Sequence, residues 1–280
     1  GAKEIKKKEL HFKALRLFRL QAQRSGGLTG IKQIWVQRAR VPVLKFWGTD
    51  DQVVCDISVN NLEGLSNTLL VREFCEKEPV LVPVLRLLKH WARCRGLGDR
   101  ATGGFSTYTL VLLAVHALQT SGETTLDRQM VQQLCEEVQN RMNRSNSSTP
   151  PNLDIWQPSA SSFMLEGKAP ELFKSVFDIC SQPEFKAGAK IEVGAISELQ
   201  EDDDTNKTLR VVCPLMQIDV QRSKDCEWKL MFEEMSRAAQ ILGNQFDVQL
   251  LFEKPGRKKD EKAPPPPPLP MFDSGGAVES

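Results

Sequence analysis

The chain has 280 residues, enough for one large domain or two small ones, each with a real core. With 40% hydrophobic and 26% charged residues it has the balance of an ordinary globular protein, and no apolar run reaches the roughly 18 residues of a membrane span. Lys and Arg (37) nearly equal Asp and Glu (36), so net charge makes no case for nucleic-acid binding and any basic surface must be local.

In chain order, residues 3–24 read as a helix, with Ile5, Phe12, Leu15 and Leu20 at roughly helical spacing among basic residues, ended by Ser25-Gly26-Gly27. Ile31 to Gln37 leads into a strand. Residues 40–47 and 52–59 read as strands joined by the turn signal Gly48-Thr49-Asp50-Asp51, which predicts a hairpin. Helices are expected at 66–77, 80–95, 106–120 and 125–143. The stretch 144–154 is a loop by composition, and 170–181 is a further helix candidate. Residues 198–208 form an acidic, solvated loop, 209–219 include a short apolar run, and 226–243 are a strong amphipathic helix. Beyond Pro255 the chain is charged and then proline-rich, a composition that packs no core. The seven cysteines are odd in number and form no C-x-x-C pair, which points to free thiols in a reducing, intracellular compartment. Opening on Gly1 and an already amphipathic helix, the sequence reads as a fragment whose targeting signal, if any, lies outside it.

Three places offer chemistry. Strand alternation puts Val53, Cys55, Ile57 and Val59 on an apolar face, so Asp56 points from the open face of a stiff sheet, a sound support for a hard divalent cation. Lys89 and Arg93 lie four apart on one helix face, extended by Arg86 and interrupted by no acid, an arrangement suited to a polyphosphate. Gly103-Gly104-Phe105-Ser106-Thr107-Tyr108 places hydroxyls where they cap a helix whose free N–H groups attract phosphate, with the sole tyrosine placed to stack on a base. Taken one by one, the ordinary readings are stronger: a solvated strand aspartate, a solvated basic face, a plain N-cap beside a half-buried tyrosine. His90 is expected to pack with Trp91, and His116, in an apolar helix, to be a satisfied core residue. The cysteines lack metal-ligand spacing.

The ordered string changes those odds. The run ARVPVLKF, VVCDISVNN, SNTLL, LKHWA, GGFSTYT over about residues 38–120 resembles the non-canonical poly(A)/poly(U) RNA polymerases, with their A-R-V-P, D-I-S-x-N-N, N-x-L-L, K-H-W-A and S-S-Y motifs in that order. The resemblance weakens further on, where Pro150-Pro151-Asn152-Leu153 looks like the family's proline-rich loop and 209–243 stand in the place of its nucleotide-recognition stretch and closing helix.

The resemblance implies two-metal, template-independent transfer of nucleotides to RNA 3′ ends, with Mg²⁺ or Mn²⁺ as metal and a nucleoside triphosphate as substrate. It matches Asp56 to a catalytic metal carboxylate, Asn67 to the sugar contact, Lys89 and Arg93 to the phosphate contacts, Thr107 to a phosphate-binding hydroxyl and Tyr108 to the base-stacking ring. Two departures stand out. The family's G-S and D-x-D motifs precede A-R-V-P, and residues 1–39 contain neither, so the first two metal carboxylates are missing and the chain by itself is expected to be inactive. The D-P-F stretch reads Cys213-Pro214-Leu215; the asparagine position, near Val220, is not kept, and Arg222 stands for the arginine. No match exists for the family's uracil-choosing histidine, since the histidines are His11, His90 and His116; ATP is therefore the default over UTP.

The expected fold is α+β: residues 1–66 the rear of a nucleotidyltransferase palm sheet, 67–250 a mainly helical central domain with short strands near 191–220, and 251–280 a disordered charged and proline-rich tail. Expected partners are an RNA 3′ end, met by local basic surface such as Lys6 to Lys8 and Arg16 to Arg24, and an SH3, WW or profilin-type domain on the polyproline tail, with no membrane. Cytoplasm, nucleus and mitochondrion all fit. The alternative is a degenerate family member acting as an RNA-binding or scaffold subunit, which the loss of acid at Cys213 favours.

Overall fold

The computed structural model describes residues 2–25, 29–37, 41–50, 53–98, 103–144, 167–187, 189–192, 195–198, 209–221, 228–244 and 247–255. The expected loop after residue 144, the acidic loop, Arg222 and the proline tail lie outside these residues, as do the side chains of Lys6 to Lys8. The mixed α+β class is as expected. Two compact units make up the chain, residues 1–79 with 128–157, and 80–127 with 158–280. The expected division fell at residue 66; by compactness, the helix after the sheet and a later one group with it.

In the first unit, α1 (Ala2–Arg24) precedes a three-stranded antiparallel sheet of β1 (Ile31–Gln37), β2 (Val43–Gly48) and β3 (Val53–Ser58), in that spatial order. Ile31 to Gln37 is thus a strand in its own right, not a lead-in. Its alternation puts Ile34 and Val36 inward, where they meet Leu44 and Phe46 of β2 and Leu15 of α1 in one buried cluster. Ile57 and Val59 pack against that cluster, but Val53 and Cys55, expected on the same core face, are exposed. The cause is twofold: β3 is an edge strand, and the register shifts between Phe46 and Trp47, leaving Val54 as an extra residue that turns the strand's start out of the pleat. Also in this unit, α2 (Leu62–Lys77) packs on α5 (Arg128–Arg144). The buried Glu73 carboxylate accepts from Arg141 Nη1 at 2.6 Å and so joins the two helices.

The second unit is helical. α3 (Leu81–Cys94), α4 (Thr107–Thr120), α6 (Ala169–Cys180) and α8 (Trp228–Asn244) pack on one another, with the shorter α7 (Pro183–Ala187) and α9 (Val248–Phe252) at their side. α4 is buried on every side from Thr109 to Leu118, as suits a sequence apolar all round apart from Thr109 and His116. Trp91 of α3 meets Phe177 of α6 edge-on at 4.8 Å, and Phe173 meets Phe177 the same way at 5.1 Å. Such pairs add about 0.5–1.5 kcal/mol beyond the area they bury. A small sheet of β5 (Ala195–Glu198), β4 (Ala189–Glu192) and β6 (Arg210–Val211) borders α4. After β6 the chain folds back on itself: Cys213 N–H donates to Ile218 O at 2.8 Å and Val220 N–H to Val211 O at 2.9 Å, closing a hairpin over residues 211–220.

Candidate nucleotide site

The six candidate residues divide between the units: Asp56 and Asn67 in the first, Lys89, Arg93, Thr107 and Tyr108 in the second. Asp56 lies on β3 opposite Lys45 of β2. Since Leu44 and Phe46 point into the core, Lys45 and Asp56 share the other face, with Nζ and Oδ2 3.5 Å apart. The Asp56 side chain is 45% exposed, so the pair is open to solvent and worth little by itself. Among the described residues no three His, Cys, Asp or Glu side chains come together as a metal site. One carboxylate already facing an ammonium does not fit a two-metal centre. Asn67 is half-buried one turn into α2, whose start is capped by the Asn61 side chain accepting from Gly64 N–H at 3.1 Å.

In the second unit, α3 buries Leu81, Val84, Leu88, Trp91 and Ala92. Its remaining surface carries Arg86, Lys89 and Arg93, all exposed. Lys89 and Arg93 form no ion pair among the described residues. His90 does not pack with Trp91: adjacent helical residues diverge by about 100°, and His90 instead meets the Phe252 ring of α9 at 5.1 Å. The chain then turns through Gly96, at φ +73°, and Leu97 N–H donates to Ala92 O at 2.7 Å. Phe105 N–H donates to Leu97 O at 2.8 Å, which draws the start of α4 beside the end of α3.

Ser106 caps α4, its Oγ accepting from Thr109 N–H at 3.0 Å. Thr107, the first helical residue, is exposed. Tyr108 is half-buried, with its hydroxyl 3.3 Å from the Sγ of Cys213 in the 211–220 hairpin. Thus Cys213, fully buried, touches the tyrosine from the position where the resemblance has an acid.

Two residues in this corner escaped sequence reading. Thr109 is fully buried and donates to Gln221 Oε1 at 2.8 Å; Gln221 Nε2 donates to Gly104 O at 3.3 Å. A lone threonine in an apolar helix was the only signal for the first, and nothing marked the second. His116 is buried as expected but not satisfied: neither ring nitrogen has a hydrogen bond among the described residues.

Residues 3–76 match the family model of the mitochondrial-like poly(A) RNA polymerase central palm domain. Poly(A) RNA polymerase GLD2-A of Xenopus laevis is 37% identical over 99 residues, 35% of this chain and 19% of that protein. Over these segments the chain is similar to the non-canonical poly(A)/poly(U) polymerases. Among solved structures of that family, the GLD-2/RNP-8 complex aligns with a TM-score of 0.57 at 18% identity, over 87% of this chain and 74% of that one. Cid1 poly(U) polymerase bound to Mg 3′-dATP aligns with a TM-score of 0.54 at 20% identity, over 86% and 76%. At such identities the structural likeness speaks for the nucleotidyltransferase fold. The non-canonical polymerase segment matched in the curated relative is about a fifth of its length.

Proposed function

We propose that this chain carries the nucleotide-gripping part of a template-independent RNA nucleotidyltransferase that adds AMP, by default, to RNA 3′ ends. One observation carries the reading: within a single compact unit, packed helices α3 and α4 offer two cations without ion-pair partners among the described residues and the chain's sole tyrosine, at a capped helix start. Lys89 supplies a point charge and Arg93 a planar fork for phosphate oxygens. Thr107, exposed as the first residue of α4, adds a hydroxyl donor. Tyr108 offers a ring face to the base, and the Cys213 contact orients that ring.

For the first unit, the resemblance gives Asn67 the sugar contact and Asp56 one metal carboxylate. The described residues by themselves do not fit two metals. RNA would meet the exposed cations of α1, Lys13, Arg16 and Arg24, where the Arg16 guanidinium already lies over the Phe12 ring at 5.6 Å from its centroid. ATP stands ahead of UTP because the chain has no histidine near the 211–220 hairpin in sequence. A degenerate, scaffolding role is the second reading, favoured by Cys213 in the acid's place and by Lys45 facing Asp56.

The test is a titration of ATP and UTP with Mg²⁺ against this chain and against the Lys89→Ala, Tyr108→Ala double variant. Saturable ATP binding that weakens about 10-fold or more in the variant is expected, the size set by one base stack and one phosphate contact. No binding of either nucleotide by a folded chain moves the reading to the scaffold.

A further inference from the structure

We infer that Gln221 is a positioning residue that sets the angle at which Tyr108 is presented. This rests on the reading of Tyr108 as the base-contacting ring. Gln221 is 1% exposed, a costly place for a carboxamide unless both its ends are used. Both are. Gly104 O is a carbonyl and can only accept, so Nε2 must face it, which turns Oε1 to the Thr109 hydroxyl. The side chain thereby ties the residue two before the Ser106 N-cap to the residue just after Tyr108.

The other half of the argument is what holds Gln221 itself. Its N–H donates to Asp219 Oδ1 at 2.9 Å, and the same oxygen accepts from Val211 N–H at 3.1 Å. The 211–220 hairpin and Gln221 therefore form one hydrogen-bonded piece. That piece holds the surroundings of Tyr108 at two places: the ring hydroxyl, through Cys213, and the flanking Thr109 hydroxyl and Gly104 carbonyl, through Gln221. A ring held only at its hydroxyl could still swing with the first helical turn. Fixing that turn at Gly104 and Thr109 removes this freedom, so the stacking face is set before a base arrives. Thr109 Oγ1 also lies 2.7 Å from Ser106 Oγ, which links the cap to the same network.

Because the chain has one tyrosine, 3-fluorotyrosine labelling of the full chain gives a single ¹⁹F resonance from Tyr108. The resonance is recorded for the wild type, Gln221→Leu and Thr109→Val, each alone and titrated with ATP and with tripolyphosphate. Thr109→Val keeps the side-chain shape and loses only the hydroxyl, so it carries the test if Gln221→Leu does not fold. The inference expects either variant to move or broaden the ligand-free resonance and to weaken ATP binding about 10-fold, with tripolyphosphate binding unchanged. A resonance at the wild-type position and width in the folded variants overturns it. A displaced resonance in the variants, with no ATP response in the wild type, upholds the positioning by Gln221 but removes the base-contacting role from Tyr108.

Discussion

His116 occupies the middle of α4 with neither ring nitrogen bonded among the described residues, and burial pushes its pKa below the ordinary 6.5. The folded chain thus keeps it neutral while the unfolded chain protonates it near pH 6.5. Below that pH the unfolded state binds the extra proton, so stability falls as pH drops, by at most about 1.4 kcal/mol per pH unit. His116→Leu is expected to flatten this slope between pH 5 and 7 in denaturant titrations; an unchanged slope would assign it to other groups. Burial also governs the thiols. It raises the Cys75 pKa to about 11, with Glu76 adding to the rise, and pushes that of fully buried Cys180 higher still, so both stay protonated at neutral pH. Position along the helix told that His116 was buried. Whether its nitrogens would find partners depends on which side chains from other elements reach it, and no local pattern holds that information.

At the scale of elements, α9 is held by two arginines. Arg95, at the end of α3, forms a fork with Glu234 of α8, both bonds 2.7 Å, and also donates to the backbone carbonyl of Glu253 just beyond α9. Arg237 of α8 donates to Leu250 O at 2.6 Å. The Arg95 side chain is 6% exposed and that of Glu234 14%, so removing one partner strands a largely buried charge. Arg95→Met is expected to cost about 3 kcal/mol in stability and to speed amide hydrogen exchange over 247–253. The double variant Arg95→Met, Glu234→Leu should regain most of that loss, because the stranded carboxylate is gone. A double variant no more stable than the single one would show that the arginine acts through the α9 carbonyl instead. Helices α3, α4 and α8 were legible from their apolar periodicity to within about two residues at each end. The five-residue α7 and α9 were not, since so few residues give no period to read.

For the molecule as a whole, the decisive quantity is the number of metal carboxylates. On the proposed reading Asp56 is the one candidate metal carboxylate named, and among the described residues no group of three His, Cys, Asp or Glu gathers as a metal site. Extension of a labelled RNA primer by this chain with ATP and Mg²⁺ is therefore expected to give no product, even where nucleotide binding is found. A ladder of added nucleotides would mean that residues other than those named complete the centre. The sequence by itself determined the α+β class, the hairpin around Gly48, the longer helices and the strand or helix on which each of the six candidate residues lies, because strand alternation and helical periodicity are written within a few neighbouring residues. Tertiary structure decided the rest. It grouped α5 with the unit that holds the sheet, although residues 80–127 intervene. It exposed Val53 and Cys55 by leaving β3 at an edge. It also joined Tyr108 to Cys213, Thr109 to Gln221 and Arg95 to Glu234, across 105, 112 and 139 positions. Contacts at such separations follow from which buried polar groups must satisfy one another after the helices pack, and that choice has no local periodicity from which to read it.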